Sequence, residues 1–585
     1  MGFKLRHVLI VGIILFAFGL RLWRTDNFEF GHLYYSATAV NMLESPKNFF
    51  FLAADAGGVT VDKTPISLWL QSLSVAFIGV SGFSLIIVSI FCNSLSIAVL
   101  YRMISREFGY SAGLVAALVL ATTPISISVD RTNVADSVLY LSMLIATWGF
   151  LWAIRQPTMR HVMIAAALMG VAFNVKMLQA FVALPALYGA YLFGASGGWW
   201  LKVRQMIAAT LVLIFVAASW LTVVELVPKD QRPYIGSTRN NSTLELVFGY
   251  SALFRFLGAE RYYELLGEEP VSTQSGGASP EIGSPGLLRF FQKELGNELS
   301  WLLPFAAWSM IFLLTSGRLK FPLSKEHRAV MVWGGWLLPG IFVMSNLQFL
   351  HAFYLATLAP PLAALVGIGY VYIIKSPRLI AYATLISTVM FQLFLVTYYD
   401  VQVIFFVIAL GVCLGLLMFT KHHLAYLLSL LLIPVFWGIA TAQARYDLIA
   451  PTAYAGQQNI VTYADLALNL VEGDYAVTDI LQRNDAVKYD LVVSNQGFGS
   501  EITMRTNLRI LYLGGFTGKD PIYTLDEFIS MVDGGEVGFV LSTGQHPEMM
   551  QYVAAVCEHV RDVIPPYVNP RTSETTSGII LYQCE

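Results

Sequence analysis

The chain has 585 residues, of which 56% are hydrophobic and 13% charged; its formal net charge is −2 and its mean hydropathy is +0.62. Soluble globular domains carry about 25% charged residues, so the composition excludes a soluble protein and indicates a polytopic membrane protein. The near-neutral balance argues against nucleic-acid binding as its main business.

The first apolar run follows Lys4, Arg6 and His7. It resembles a signal peptide but lacks a small-residue cleavage site, so it is expected to stay as a first helix. About thirteen spans approaching the ~20-residue length of a membrane crossing follow the chain. They are placed near 8–23, 83–101, 110–126, 137–154, 161–174, 177–194, 206–226, 299–316, 329–345, 352–374, 378–397, 401–419 and 424–442. With the N-terminus in the cytoplasm, every inward turn carries a basic cluster: Arg102/Arg106, Arg155/Arg160, Lys202/Arg204, Arg318 to Arg328, Lys375/Arg378 and Lys421 to His423. That agreement with the positive-inside rule requires segment 66–80 to lie in the interface rather than cross, and it puts the C-terminal tail outside the cell.

The polar residues gather in the outward loops. The first, 24–82, is too long for a mere connector and carries Asp26, Glu29, His32, Glu44, Asp55, Asp62 and Lys63. Within it, Asp55 to Pro65 combines a glycine pair, two carboxylates and a lysine, with Pro65 suited to the first turn of the following helix. The second outer loop holds Asp130, Arg131, Asn133 and Asp136. Ionisable groups at a membrane boundary face a cavity or pair with one another; here Asp130 and Arg131 can pair locally and Asp136 can cap the next helix. Lys176 stands alone at an outer turn, where it can snorkel or meet an anionic phosphate. The 227–298 loop begins with Arg232 and Tyr234, carries two overlapping N-x-[ST] sequons at Asn240 and Asn241, and turns Pro/Gly/Ser-rich over 270–286. His351 opens a later span and serves either packing or chemistry.

The tail from about 445 reads as a small α/β domain. Its expected strands are Leu491–Ser494, Leu508–Leu513, Val537–Leu541 and Gly578–Tyr582, and its expected helices Thr524–Val532 and Glu548–Glu558. The domain division is therefore 1–444, transmembrane, and 445–585, extracytoplasmic. Cys92 and Cys413 lie in apolar spans as packing residues. Cys557 and Cys584 fall in the tail, where they can form a disulfide or remain two buried thiols. No nucleotide-binding or metal-ligand motif appears, which for an outward-facing transferase favours a lipid-carried donor. The carboxylates could also hold a divalent cation, but no spacing calls for one.

Several stretches together resemble one known family. They are Tyr34 to Leu43, Asn48 to Phe51, Val61-Asp-Lys-Thr-Pro65, Asp130 to Asp136, Phe173 to Gln179, Arg232 to Gly236, His351-Ala-Phe-Tyr354, Leu513 to Pro521 and Leu581 to Cys584. Their order is similar to that of the GT-C glycosyltransferases. The likeness is to the bacterial, family-39 branch related to protein O-mannosyltransferases and aminoarabinose transferases, and within it to the YkcA/YkcB-type group. The resemblance implies a fold of many transmembrane helices with interfacial helices in the first loop, and a donor sugar on a polyprenyl phosphate. In the wider superfamily an Asp-Glu pair supplies the base; at the corresponding place this chain reads Gly31-His32-Leu33.

The expectation is an inverting transfer to an envelope glycan, lipid or protein. Asp55 or Asp62 acts as the base. Lys63, Arg131, Lys176 and His351 face the donor phosphate, and Asp130, Asn133, Asp136, Arg232 and Tyr234 orient the sugar. The rival is a lipid-linked-sugar flippase, which would place its polar residues at mid-membrane.

Overall fold

In a computed structural model of the chain, the described residues are 3–25, 29–265, 282–399, 401–419, 423–444, 450–456, 477–516, 518–564, 567–568, 575–576 and 578–584. Asp26, most of the 270–286 stretch, Lys421, His422 and the side chain of Cys413 lie outside them.

Ten helical runs among the described residues are long and apolar enough to cross a membrane, or eleven if one bent pair counts as a span. The sequence had pointed to about thirteen, and three local features account for the difference. Spans 161–174 and 177–194 are joined in one helical run, Met159–Gly194, that doubles back at Met177, whose φ of 47° no helix accommodates; Gly194 returns beside Ile154, so the run holds both expected crossings. Span 110–126 is two helices, Tyr110–Thr122 and Pro124–Asp130, bent by 59° where Thr123 precedes a proline. The helix Val403–Phe419 has 17 residues and falls short. Segment 66–80 is the 14-residue helix Pro65–Ile78, with Pro65 in its first turn.

The chain forms two compact units. The first comprises Met1–Glu29, Ile86–Ser219 and Ser251–Ile460 and holds most of the long helices. Small residues let those helices approach closely, as transmembrane packing requires. A Cβ on Gly149 would stand 3.2 Å from the Ala165 Cα, and one on Gly367 2.4 Å from the Ala112 carbonyl.

The second unit is more than the tail expected from the sequence. It unites Val461–Glu585 with Phe30–Leu85 and Trp220–Tyr250. Its strands are β1 (Tyr489–Val493), β2 (Ile510–Tyr512), β3 (Val537–Ser542), β4 (Glu558–Ile564), β5 (Tyr567–Val568), β6 (Thr575–Thr576) and β7 (Ile579–Gln583). Five make one sheet in the order β2-β1-β3-β7-β4. β1 pairs in parallel with β2 and β3, and β7 runs antiparallel to β3 and β4. Helices Gln496–Arg505 and Leu525–Asp533 make the crossovers that parallel pairing requires. Thr524 and Glu527 close a capping box on the second of these. Cys557 and Cys584 are joined by a disulfide.

The first loop attaches to this sheet. The Ala56 amide donates to the Ile510 carbonyl (2.9 Å), beside the free edge of β2. Val59 forms a parallel bridge with Tyr234. Segments from three distant parts of the sequence are thus held by backbone hydrogen bonds.

Candidate active site

In the first unit the expected donor-side residues divide into two groups. Asp130 and Arg131 are both fully buried and hydrogen-bonded to nearby groups. Asp130 accepts from Arg21 Nε (2.6 Å), Ser137 Oγ (2.6 Å) and the Tyr140 hydroxyl (2.5 Å). The Arg131 guanidinium donates through Nη1 to the carbonyls of Leu20, Arg21 and Trp23. Five-donor arginine suits such a cluster of carbonyls, and here it ties the end of the first helix to the second outer loop. Asn133 is fully buried beside them.

Lys176, Asp136 and His351 form the other group. Lys176 Nζ lies 2.5 Å from Asp136 Oδ2 and 4.0 Å from the centre of the Tyr354 ring. His351 stacks on Phe353 at 5.0 Å and meets Tyr354 edge-on at 5.8 Å. The guanidinium of Arg255 lies over Phe349 at 4.4 Å and 5.8 Å from the Tyr354 ring. Two cations and a histidine therefore share one aromatic floor. Sequence reading missed Arg255 because it sits in an apolar stretch with no motif around it; its one signal was a charge beside Phe254 and Phe256 in the 227–298 loop.

In the second unit the two first-loop carboxylates differ sharply. Asp55 is fully buried. Its Oδ1 accepts from the amides of Gly57 (3.0 Å), Gly58 (2.7 Å) and Val59 (3.0 Å), and its Oδ2 from the Tyr512 amide (3.0 Å). Burial pushes its carboxyl up from 3.8 to about 6, against the pull of those four amides. Gly58 must be glycine here: a Cβ would stand 2.4 Å from the Tyr523 hydroxyl. Asp55 thereby fastens the first loop to β2.

Asp62 is 4% exposed and pairs with Lys63 Nζ at 2.6 Å; Lys63 also lies 5.7 Å from the Tyr35 ring centre. Arg232 donates to the Val227 carbonyl and to Asn241, and the Tyr234 hydroxyl to the Thr238 carbonyl, so both shape their own loop. Sequence reading also missed Tyr34 and Asp520. Tyr34 is 1% exposed and packs on Phe516 at 4.9 Å. Asp520 is 8% exposed and accepts from the Ser237 amide at 2.7 Å. Among the described residues no three His, Cys, Asp or Glu side chains converge as a metal-ligand set.

Comparison with known proteins agrees with this architecture. Residues 62–221 match the family described as dolichyl-phosphate-mannose-protein mannosyltransferase, and 477–561 match the C-terminal domain of "Putative mannosyltransferase YkcB-like" proteins. The Bacillus subtilis protein "Putative mannosyltransferase YkcB" is 30% identical over 89% of this chain and 86% of its own. "Putative mannosyltransferase YycA" of the same organism is 27% identical over 97% and 96%. The crystal structure of ArnT from Cupriavidus metallidurans bound to undecaprenyl phosphate matches with a TM-score of 0.58 at 14% identity, over 100% of this chain and 99% of that one. The Archaeoglobus fulgidus oligosaccharyltransferase AglB matches with a TM-score of 0.50 at 14% identity, over 100% of this chain and 75% of that one.

The class is thus a multi-pass membrane glycosyltransferase with the GT-C fold. Within that class, the chain belongs to the YkcB-type family of mannosyltransferase-like proteins.

Proposed function

We propose that the protein transfers a hexose from a polyprenyl-phosphate donor to a hydroxyl of a cell-envelope acceptor, on the extracytoplasmic side and with inversion at the anomeric carbon. The observation that carries this reading is the Lys176–Arg255–His351 cluster on its aromatic floor. Cations beside aromatic faces, in an environment of low dielectric, suit a phosphate that gains charge as its sugar leaves. Asp136 holds Lys176 in place through their 2.5 Å contact. Arg131 and Asp130 brace the loop through their hydrogen bonds to Arg21 and the first-helix carbonyls.

Of the two first-loop carboxylates, Asp62 takes the acceptor proton. Asp55 is fully buried and held by four amides, which suits a structural role. Asp62 is held by Lys63, a contact that orients a carboxylate. Mannose is the first donor sugar to test, from the names of the matching family and relatives. Basic residues in the short loops support an orientation with the N-terminus in the cytoplasm and the sheet unit outside.

Mass analysis of envelope glycans and glycolipids from cells with and without the protein tests the reading. A hexose-bearing species that disappears with the protein, and returns with the wild type but not with D62N, supports it. Identical profiles in all strains refute it.

A further inference from the structure

Three segments of the second unit meet around a pair of acidic side chains, one of which belongs to the tail. The first-loop segment at Val59–Thr60 and the 234–236 segment run side by side through an isolated parallel bridge, with the Thr60 amide on the Tyr234 carbonyl at 2.8 Å and the Gly236 amide on Thr60 Oγ1 at 3.1 Å. Two residues beyond Thr60 stands Asp62; one beyond Gly236 stands Ser237. The Ser237 amide donates to Asp520 Oδ2 at 2.7 Å, and the other Asp520 oxygen makes no hydrogen bond among the described residues. Tyr34 completes the group. Its hydroxyl is buried with no hydrogen-bond partner among the described residues. A buried hydroxyl without a partner costs free energy unless a ligand supplies one.

The tail loop is shaped to hold Asp520 there. Gly515 has φ 65°, and a Cβ on it would stand 2.3 Å from Asp520 Oδ2; a Cβ on Gly514 would stand 2.2 Å from the Gly518 backbone. Glycine is the residue that permits both the left-handed turn and the close approach. The loop follows β2, at the carboxyl edge of the parallel strands, where open α/β sheets place ligands.

We propose that Asp520 is a catalytic residue, forming with Asp62 a carboxylate dyad that binds and deprotonates the acceptor hydroxyl, with Tyr34 donating a hydrogen bond to the same substrate. This deepens the transferase reading and rests on it. The acceptor O–H bond breaks and its proton ends on the dyad. The oxygen bonds to the anomeric carbon as the bond from that carbon to the phosphate oxygen breaks, and the phosphate keeps the electron pair. The tail is thereby part of the chemistry.

The electrostatics agree. Burial raises the Asp520 carboxyl to about 7, helped by the charges of Asp62 and Glu245 and opposed by the Ser237 amide. Burial and the charges of Asp62 and Asp520 hold the Tyr34 hydroxyl protonated, as a donor. The charged groups around the dyad are Asp62, Glu245 and, on Asp62, Lys63. Two interacting carboxylates titrate as a pair. A dyad already carrying the proton cannot take another, so turnover falls as pH drops through about 7.

The test uses full-length wild type, D520N and Y34F in proteoliposomes, with undecaprenyl-phosphate mannose as donor and membranes from cells lacking the protein as acceptor. Asparagine keeps an oxygen for the Ser237 amide, so D520N removes the charge and spares the fold. The expected result is a fall in kcat of about a hundredfold or more in D520N, with donor KM within about twofold and the acidic limb of the pH profile displaced. Y34F is expected to lose about tenfold in kcat, the equivalent of one hydrogen bond. Wild-type kcat and an unchanged pH profile in D520N overturn the proposal. If D520N fails to melt as the wild type does, Y34F decides, and wild-type kcat in that variant overturns the proposal. A wild type that moves no sugar from this donor or its glucose counterpart refutes the transferase reading itself, and the dyad falls with it.

Discussion

Asp55 offers the sharpest separation of structural from chemical roles. Replacing it with asparagine keeps the shape and one of two acceptor oxygens. If the carbonyl stays on the amides of Gly57, Gly58 and Val59, the new NH2 group faces the Tyr512 amide, donor against donor. That loss costs about 1.5–3 kcal/mol. Against it stands the relief of a buried charge: moving a carboxyl from 3.8 to about 6 corresponds to about 3 kcal/mol above that pH. The two nearly cancel, so D55N is expected to melt close to the wild type at pH 8 and to keep transfer within about threefold. Alanine at the same position orphans all four amides and is expected to destabilise the unit by several kcal/mol beyond that relief. The pH dependence has a definite sign. A folded value above the unfolded one favours the protonated form, so this stabilisation is complete below 3.8 and is lost as pH rises through about 6. Thermal melting at pH 5 and pH 8 should show a fall in the wild type larger than in D55N. The assay pairs those melts with transfer rates. A D55N protein that melts as the wild type does yet transfers a hundredfold more slowly would refute the reasoning and make Asp55 the base.

Other consequences follow from the same geometry. Lys176→Met is expected to raise donor KM by about tenfold or more; it also leaves Asp136 buried without its ammonium, so K176M/D136N should melt higher than K176M alone. Replacing Cys557 and Cys584 with serine removes a link across 27 residues, worth about 3.5 kcal/mol in the chain-entropy picture. The tail should then become protease-sensitive at lower temperature, and unchanged sensitivity would contradict the link's role. A single cysteine introduced at Glu536, whose side chain is 41% exposed, should react with a membrane-impermeant maleimide on intact cells; labelling only after lysis would reverse the proposed orientation.

What the sequence disclosed, and what it hid, divides along physical lines. Hydrophobic runs and alternating strand patterns are local, so the membrane class, the helix at Pro65–Ile78 and strands β1, β2, β3 and β7 were readable. Strand β4, with Glu558, His559, Arg561 and Asp562 in its sequence, carries no apolar alternation and was missed. The number of continuous helical runs is lower than the number of spans because hydropathy does not register how the chain joins two segments at Met177 or bends at Pro124. The attachment of Phe30–Leu85 and Trp220–Tyr250 to the tail sheet depends on main-chain hydrogen bonds between residues hundreds apart, such as Ala56 to Ile510. No pattern of side chains announces such bonds. The same reason hid Asp520, which reads as one acid in a glycine-rich loop until Ser237 and Tyr34 are placed around it. Asp130 and Arg131 illustrate the converse. A charged pair at a membrane edge looks chemical in sequence, but Arg21, Ser137, Tyr140 and three main-chain carbonyls occupy it.

The most direct test of the account is transfer by the purified protein. Wild type in liposomes containing radiolabelled undecaprenyl-phosphate mannose should move label from the lipid to an acceptor present in membranes from cells lacking the protein, and D62N should do so about two to four decades more slowly. Label that stays on the lipid with wild type, or equal rates for wild type and D62N, would contradict it.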